Sequence, residues 1–282
     1  MLAQYLKQLT LHTRLPTLSL PLQQLAAGQW RLSQPELREV REVKDEPKQL
    51  AAAYRLLLLP QSNTLDLGSQ VGAALALFMS VAPEGKHVAF EPEPHKARRL
   101  RRKFPGVDVR EQALLSEALQ RELSDEEAAA PAAETPDILS ALHGEGRSLD
   151  ASIAPEHAVD LIRLELAGAE LFVMMGAEQL LRRCRPSLVF GSRLRALAHW
   201  ELRPEDVFDY LSGLGYRVFL PRAFVAGGSP LLRAEFAEAH AHPLLACNFI
   251  ATAPERVCGR RLVQQGARRS ERIPLAGGAN LA

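Results

Sequence analysis

The segment NTLDLGSQVG, residues 63–72, joins a short apolar strand to a turn that contains two glycines. Residues 63–67 predict a buried strand, and Gly68 and Gly72 follow it in a DxGxxxG pattern. Glycine permits a tight turn and the close approach of another group to the backbone. Ligands of open α/β sheets bind beyond the carboxyl ends of the strands, so this turn is a candidate binding site. A glycine turn with a structural role only fits the pattern equally well.

The segment starts a series of alternating strands and helices. Repeated strand–helix units of this length are typical of a mostly parallel sheet with helices on both faces. Further strands are predicted at residues 87–90, 107–110, 159–166, 187–190, 216–220 and 247–252. No helix is evident between the last two strands, which could pair antiparallel as a terminal hairpin would.

Composition suggests a domain flanked by two less regular segments. Residues 1–46 have the mixed pattern of a leader or cap segment, and a helix is predicted after Pro47. Residues 47–258 form the predicted α/β domain. Within it, residues 116–147 are acidic and rich in alanine and proline, which predicts a poorly ordered insertion. The arginine-rich residues 259–282 are predicted to be a flexible tail.

Overall composition indicates which partners, which cysteine sites and which cellular compartment to expect. The chain is 47% hydrophobic and 24% charged, with a formal net charge of +1, which indicates neither a nucleic-acid nor a membrane partner. The three cysteines form no CxxC pair, so neither a disulfide framework nor a metal site is indicated. A signal-peptide pattern and a run of about 18 apolar residues are both missing. We therefore expect a cytoplasmic protein; no pattern indicates its oligomeric state.

A second candidate site residue is Glu91, directly after the predicted strand 87–90. An acidic side chain at this position, about twenty residues after the glycine turn, can accept hydrogen bonds from both ribose hydroxyls of a nucleoside. The alternative is a solvated acid that begins a turn before Pro92 and Pro94. Together with the glycine turn, the spacing favours the ribose interpretation.

The third candidate segment is DLIRLELAGAE, residues 160–170. Arg163 and Glu165 alternate with apolar residues, so they lie on one face of the predicted strand. Gly168 permits a turn, and Glu170 begins the next helix. Carboxylates here could orient or deprotonate a substrate hydroxyl. The alternative is that Arg163 pairs with one of the two glutamates while Glu170 complements the helix dipole.

Two weaker signals lie elsewhere. His199 and Trp200 follow the predicted strand 187–190 and could border the cleft, although a surface position is favoured. The basic residues of 98–103 share their helix with apolar Ala97 and Leu100. That pattern favours a solvated helix face over a nucleic-acid patch.

In this order and spacing, the signals resemble the FkbM family of S-adenosylmethionine-dependent methyltransferases over about residues 63–224. The segments that carry the resemblance are DLGSQVG (66–72), EPEP (91–94), AL (113–114), LD (149–150), RLELAGAE (163–170), MGA (175–177), RPSLVF (185–190) and GY (215–216). The family patterns for the first two and the fifth read approximately DVGANxG, EPxP and KIDVEGxE. Several linked motifs are far more specific than any one of them.

The resemblance implies a Rossmann-like class I methyltransferase fold, with a seven-stranded, mostly parallel sheet whose last strand is antiparallel. It also implies S-adenosylmethionine as methyl donor and a sugar or small-molecule hydroxyl as acceptor. The residues expected to bind the cofactor are Asp66, Gly68, Ser69, Gly72, Glu91, Pro92 and Ala113. The residues expected to act in catalysis are Glu165, Glu170 and His199.

The chain departs from the family pattern mainly on the acceptor side. Gln70 replaces the usual Asn, Arg163 the usual Lys and Glu165 the usual Asp. Ala167 and Gly191 each replace a usual Glu. Three interpretations follow: an active O-methyltransferase, a catalytically degenerate module for binding or assembly, and a nicotinamide-dependent oxidoreductase. The lack of a GxGxxG pattern argues against the third.

Overall fold

The computed structural model describes residues 34–114, 147–241 and 244–255. Most of the predicted leader (1–33), nearly all of the predicted insertion and the whole predicted tail lie outside the described residues. The proposed domain division therefore stays a prediction. Within the described part of the chain, no helix combines the length and the apolar character needed to cross a bilayer.

The strands form one seven-stranded sheet in the order β3-β2-β1-β4-β5-β7-β6. They are β1 (Thr64–Leu67), β2 (His87–Phe90), β3 (Asp108–Arg110), β4 (Leu161–Leu164), β5 (Ser187–Gly191), β6 (Arg217–Phe219) and β7 (Asn248–Thr252). Strands β1 to β5 pair in parallel, whereas β7 runs antiparallel to both β5 and β6. The predicted mostly parallel sheet with an antiparallel last strand is confirmed.

The described helices cover the two faces of this sheet. They are α1 (Gln34–Leu57), α2 (Ala73–Val81), α3 (Pro94–Lys103), α4 (Leu149–Ser152), α5 (Glu170–Met175), α6 (Glu178–Cys184), α7 (Leu194–His199), α8 (Pro204–Gly213), α9 (Pro221–Val225) and α10 (Arg233–Glu238). Leu161 packs in an apolar layer with α1, α2 and α3, while its neighbour Ile162 packs in the opposite layer with α5, α6 and α8. This alternation follows from the two-residue period of a strand.

The prediction that the first helix begins after Pro47 is wrong, because α1 begins at Gln34 and contains that proline. A proline inside a helix removes one hydrogen bond and is unfavourable by about 3 kcal/mol or more. Pro47 is exposed, and the preceding Glu46 is buried, where it accepts hydrogen bonds from the amides of Cys247 and Asn248. Tertiary contacts thus outweigh the local effect of the proline.

The terminal strands pair antiparallel, but they do not form a simple hairpin. The short helices α9 and α10 lie between β6 and β7. They span five and six residues. Helices of that length show too few turns for a clear apolar period, which explains why the sequence does not reveal them.

Candidate functional site

The turn after β1 contains three residues with positive φ: Gly68 (77°), Gln70 (48°) and Gly72 (74°). The amide of Gly68 donates to the carbonyl of Phe90, which ties the turn to the end of β2. A Cβ at Gly68 would lie 2.3 Å from the carbonyl oxygen of Glu165. Glycine at residue 68 therefore lets the turn after β1 lie directly against the end of β4.

Gly72 and Ser69 have local structural roles in the same turn. A Cβ at Gly72 would lie 2.3 Å from the ring of Phe104, so this glycine permits α2 and α3 to pack closely. The Ser69 hydroxyl donates to the carbonyl of Asp66 at 2.9 Å. Neither residue lines the cavity described below, and their predicted contacts with the cofactor stay predictions.

Glu91 joins the turns that follow β1 and β2. Its side chain is only 3% exposed. One carboxylate oxygen accepts from the Gln70 amide at 2.9 Å, and the other accepts from the Glu93 amide at 3.2 Å. Each carboxylate oxygen can accept a further hydrogen bond. Glu91 is thus oriented by the backbone and keeps acceptor capacity toward the cavity that it lines.

A cavity of about 230 Å³ lies where the turns after β1, β2, β3 and β4 meet. Its lining combines a few polar groups with apolar side chains. It is lined by Leu67, Gly68, Gln70, Phe90, Glu91, Pro92, Glu93, Lys96, Gln112, Ala113, Leu114, Glu165, Leu166, Ala167, Ala169 and Val173. Of the predicted site residues, the cavity brings together Gly68, Glu91, Pro92, Ala113 and Glu165.

Asp66 lies fully buried within β1 and does not line the cavity. Arg163 Nη1 donates to Asp66 Oδ1 at 2.8 Å. The other oxygen, Oδ2, is buried and has no hydrogen-bond partner among the described residues. A buried acceptor without a partner costs about 1–3 kcal/mol, so a water molecule or a ligand amine beside Oδ2 would stabilise it.

Glu165 follows β4 and lies between two arginines. Arg163 Nη2 is 3.6 Å from one carboxylate oxygen, and Arg193 Nη2 is 3.3 Å from the other. Arg163 thus pairs with Glu165, as the alternative expects, and it lies closer still to Asp66. The catalytic role of Glu165 stays a prediction. Arg193 follows β5, the neighbour of β4 in the sheet. Sequence spacing could not reveal this contact, because it arises only from strand adjacency.

The side chain of Glu170 stabilises the turn after β4. It accepts hydrogen bonds from the amides of Leu166 (2.7 Å) and Gly168 (2.8 Å), in a turn where Ala167 also has positive φ. Burial raises the pKa of the Glu170 carboxyl to about 7, although the backbone hydrogen bonds oppose this shift. Glu170 does not line the cavity, so its carboxylate lies outside the space that a substrate would occupy there.

His199, at the end of α7, is exposed. Its ring contacts Trp200 edge to face, with centroids 5.5 Å apart. It does not line the cavity. In the described parts of the chain, no three His, Cys, Asp or Glu residues are grouped so that they could hold a metal ion.

Residues 66–218 match the family model of the FkbM methyltransferase domain. The match covers more than half of the chain. The chain belongs to the FkbM methyltransferase family. The predicted resemblance is therefore confirmed. The FkbM match runs from β1 into β6, so that α1 and β7 lie outside it.

Solved structures to which this chain is similar include several methyltransferases. The FkbM methyltransferase of Methylobacillus flagellatus KT is 16% identical, with a TM-score of 0.42, and the match covers 58% of this chain and 42% of that one. The precorrin-6y C5,15-methyltransferase of Geobacter metallireducens GS-15 is 15% identical (TM-score 0.38; 61% and 72% covered). An rRNA methylase of Streptococcus thermophilus is 10% identical (TM-score 0.37; 73% and 93% covered).

At these values the likenesses carry no argument about substrate or mechanism. This chain spans less than half of the FkbM protein from Methylobacillus flagellatus KT. No curated protein gave a significant match.

Proposed function

We propose that this FkbM domain is an S-adenosylmethionine-dependent methyltransferase that acts on a hydroxyl group of a sugar or another small molecule. The observation that supports it best is that Gly68 and the Glu91 carboxylate share one cavity. Family membership implies the methyl donor, and the acceptor class follows from the same resemblance.

The residues of the cavity fit an adenosine group. Each of the two Glu91 carboxylate oxygens accepts a hydrogen bond from one backbone amide, and each can accept a further hydrogen bond from one ribose hydroxyl. Ala113, Leu114, Leu166 and Val173 offer apolar surface for a base. A few oriented polar groups within a largely apolar lining are typical of small-molecule sites.

The amino-acid end of the cofactor would lie toward the turn after β1. The unpartnered Asp66 Oδ2 offers an acceptor for an ammonium group or for a bridging water. Arg163 holds the other oxygen of the same carboxylate and approaches the Gly68 carbonyl at 3.5 Å. Asp66 would thereby contribute a fixed negative charge without lining the cavity itself.

Glu165 is the predicted catalytic residue that lines the cavity. The bound cofactor would supply an electrophilic methyl group on sulfur. The protein would then contribute mainly alignment of the acceptor oxygen and exclusion of water. Glu165, held by Arg163 and Arg193, would accept a hydrogen bond from the acceptor hydroxyl. It would take the hydroxyl proton as the new oxygen–carbon bond forms and the bond from that carbon to sulfur breaks, which would leave a neutral thioether.

A second candidate is a domain that binds the cofactor without transferring the methyl group. It is favoured by the placement of Glu170 and His199 outside the cavity. This candidate predicts cofactor binding with no methyl transfer to sugar or small-molecule hydroxyls.

Thermal shift and calorimetry with S-adenosylmethionine, S-adenosylhomocysteine and NAD⁺ test the cofactor-binding part of the proposal. We expect both sulfur nucleosides, and not NAD⁺, to raise the melting temperature. Glu91→Gln should weaken their binding by about tenfold or more, because a charged hydrogen bond contributes about 1.5–3 kcal/mol. Glu84→Gln is the matched control, since Glu84 is exposed and precedes β2. Equal affinity of wild type and Glu91→Gln would remove Glu91 from the site.

A further inference from the structure

Gln112 brings a polar side chain to the part of the cavity that lies beyond β3. It follows the last residue of β3 closely and lines the cavity together with Ala113 and Leu114. In the sheet, β2 lies between β1 and β3. A nucleoside with its ribose at Glu91 and its amino-acid end toward β1 would therefore direct its base toward β3 and Gln112.

The Gln112 amide is oriented by a serine of α4. Gln112 Nε2 donates to Ser152 Oγ at 2.8 Å, and the Ser152 hydroxyl donates to the Ser148 carbonyl at 2.9 Å. A serine hydroxyl has one proton, so a hydroxyl that donates to Ser148 can only accept from Gln112. The contact with Ser152 thus fixes which end of the amide is Nε2, and Gln112 Oε1 keeps its acceptor capacity.

Ser152 does not line the cavity, and α4 has its own contacts with the rest of the domain. The Asp150 carboxylate accepts from the amides of Gln179 (2.9 Å) and Leu180 (2.8 Å) at the start of α6. The Asp150 amide donates to the Gly176 carbonyl at 3.0 Å. The position of the Ser152 hydroxyl is therefore set by contacts of α4 that do not involve Gln112.

We propose that Ser152 is a positioning residue that orients the Gln112 amide, so that the cavity selects a 6-amino purine over a 6-oxo purine. Gln112 Oε1 would accept a hydrogen bond from the amino group of adenine. A 6-oxo purine has an acceptor at the same place, so two acceptors would face each other. The proposal rests on the proposed function and deepens it, because it assigns the choice of base to Gln112 and Ser152.

The physical argument is that the two ends of a glutamine amide have nearly the same shape but opposite hydrogen-bonding character. A half-turn about the last side-chain bond exchanges them. A site that hydrogen-bonds one group of a ligand rejects an analogue without that group, because a polar group of the site is then left unpaired. Without the Ser152 hydroxyl, the amide could turn Nε2 toward a 6-oxo group, and the preference would be lost.

The test is calorimetry with S-adenosylhomocysteine and with its 6-oxo analogue, S-inosylhomocysteine. The wild type should bind the 6-amino ligand about tenfold more tightly or better. Ser152→Ala should bring the two affinities within about threefold of each other, by weakening the 6-amino ligand and strengthening the 6-oxo ligand. A structural defect would not strengthen the binding of either ligand, so this gain reports on the orientation of the amide.

Ser148→Ala is the matched control on the same helix. It removes the Ser148 hydroxyl, which caps α4 by accepting from the Ala151 amide at 3.2 Å, but it keeps the carbonyl that Ser152 contacts. The ratio of the two affinities should stay within about twofold of the wild-type ratio. A carboxylate has acceptors at both ends, so Gln112→Glu should restore the preference for the 6-amino ligand in the Ser152→Ala protein.

Equal affinity of the wild type for the two ligands would overturn the proposal and leave the proposed function standing. An undiminished preference in Ser152→Ala would overturn it as well. So would loss of the preference in Ser148→Ala, because the stability of α4 would then explain the effect. Failure of the wild type to bind either ligand would instead overturn the proposed function, and the choice of base by Gln112 with it.

Discussion

The cavity has two halves that are built in different ways. In the part proposed to bind the nucleoside, formed by the turns after β1, β2 and β3 and called the nucleoside half, backbone amides orient one acid, as Gln70 and Glu93 do for Glu91. In the part proposed to bind the acceptor, formed around the end of β4 and called the acceptor half, side-chain charges orient one another, as Arg163 and Arg193 do for Glu165. A short motif can specify the first arrangement, whereas the second needs partners from distant parts of the chain.

The largest loss of stability is expected when Arg163, in the acceptor half, is replaced. Arg163→Met leaves the buried Asp66 carboxylate without its partner, and removal of one member of a buried pair typically destabilises a protein by about 3–5 kcal/mol. Urea unfolding measures the change. Arg182→Met is the control, since Arg182 pairs with Glu178 at the surface and should contribute at most about 1 kcal/mol. Equal losses in both variants would contradict the central role of side-chain charge in this half.

Gly68 contacts both halves of the cavity, and its substitution should cause the next largest loss of stability. In Gly68→Ala the new methyl group meets the Glu165 carbonyl at 2.3 Å, at a φ of +77°. Strain and overpacking together should destabilise the protein by about 3 kcal/mol. Gly106→Ala is the control, because a Cβ at Gly106 has open space. A Gly68→Ala protein as stable as Gly106→Ala would show that the two turns do not touch as described.

Glu170 should make the free energy of unfolding depend on pH. Its pKa is raised from 4.5 to about 7, so the folded state binds the proton more tightly than the unfolded state. The free energy of unfolding should therefore fall as the pH rises from about 4.5 to about 7, by at most about 1.4 kcal/mol per pH unit. Glu170→Gln should flatten this slope in urea unfolding at several pH values. An unchanged slope would assign the pH dependence to other groups.

The smallest change in stability is expected when His199 is replaced. His199→Ala removes an exposed side chain outside the cavity, so stability should change by less than about 0.5 kcal/mol. Affinity for S-adenosylhomocysteine should equal that of the wild type by calorimetry. A loss of methyl transfer in this variant, at unchanged affinity, would restore the predicted catalytic role of His199 and extend the acceptor half to α7.

Much of the fold could be predicted because the relevant signals are local. The period of two along β4 predicts that Leu161 and Ile162 face opposite layers, as they do. The start of α1 could not be predicted, because Pro47 is a local helix breaker and the compensating contact of Glu46 with Cys247 joins residues 201 positions apart. The short helices α9 and α10 cannot be predicted, because they are too short to show a measurable apolar period.

For the site, the sequence by itself determined the glycine turn, the acid at the end of β2 and the carboxylates after β4. These features depend on residue type and on spacing within a few residues of a strand end. Only the tertiary structure decided which of these two acids lines the cavity. Glu165 does, while Glu170 lies outside it and accepts hydrogen bonds from the amides of its own turn. The physical reason is that a carboxylate takes the donors nearest to it in space, and the order of strands in the sheet, which brings Arg193 beside Glu165, determines those donors.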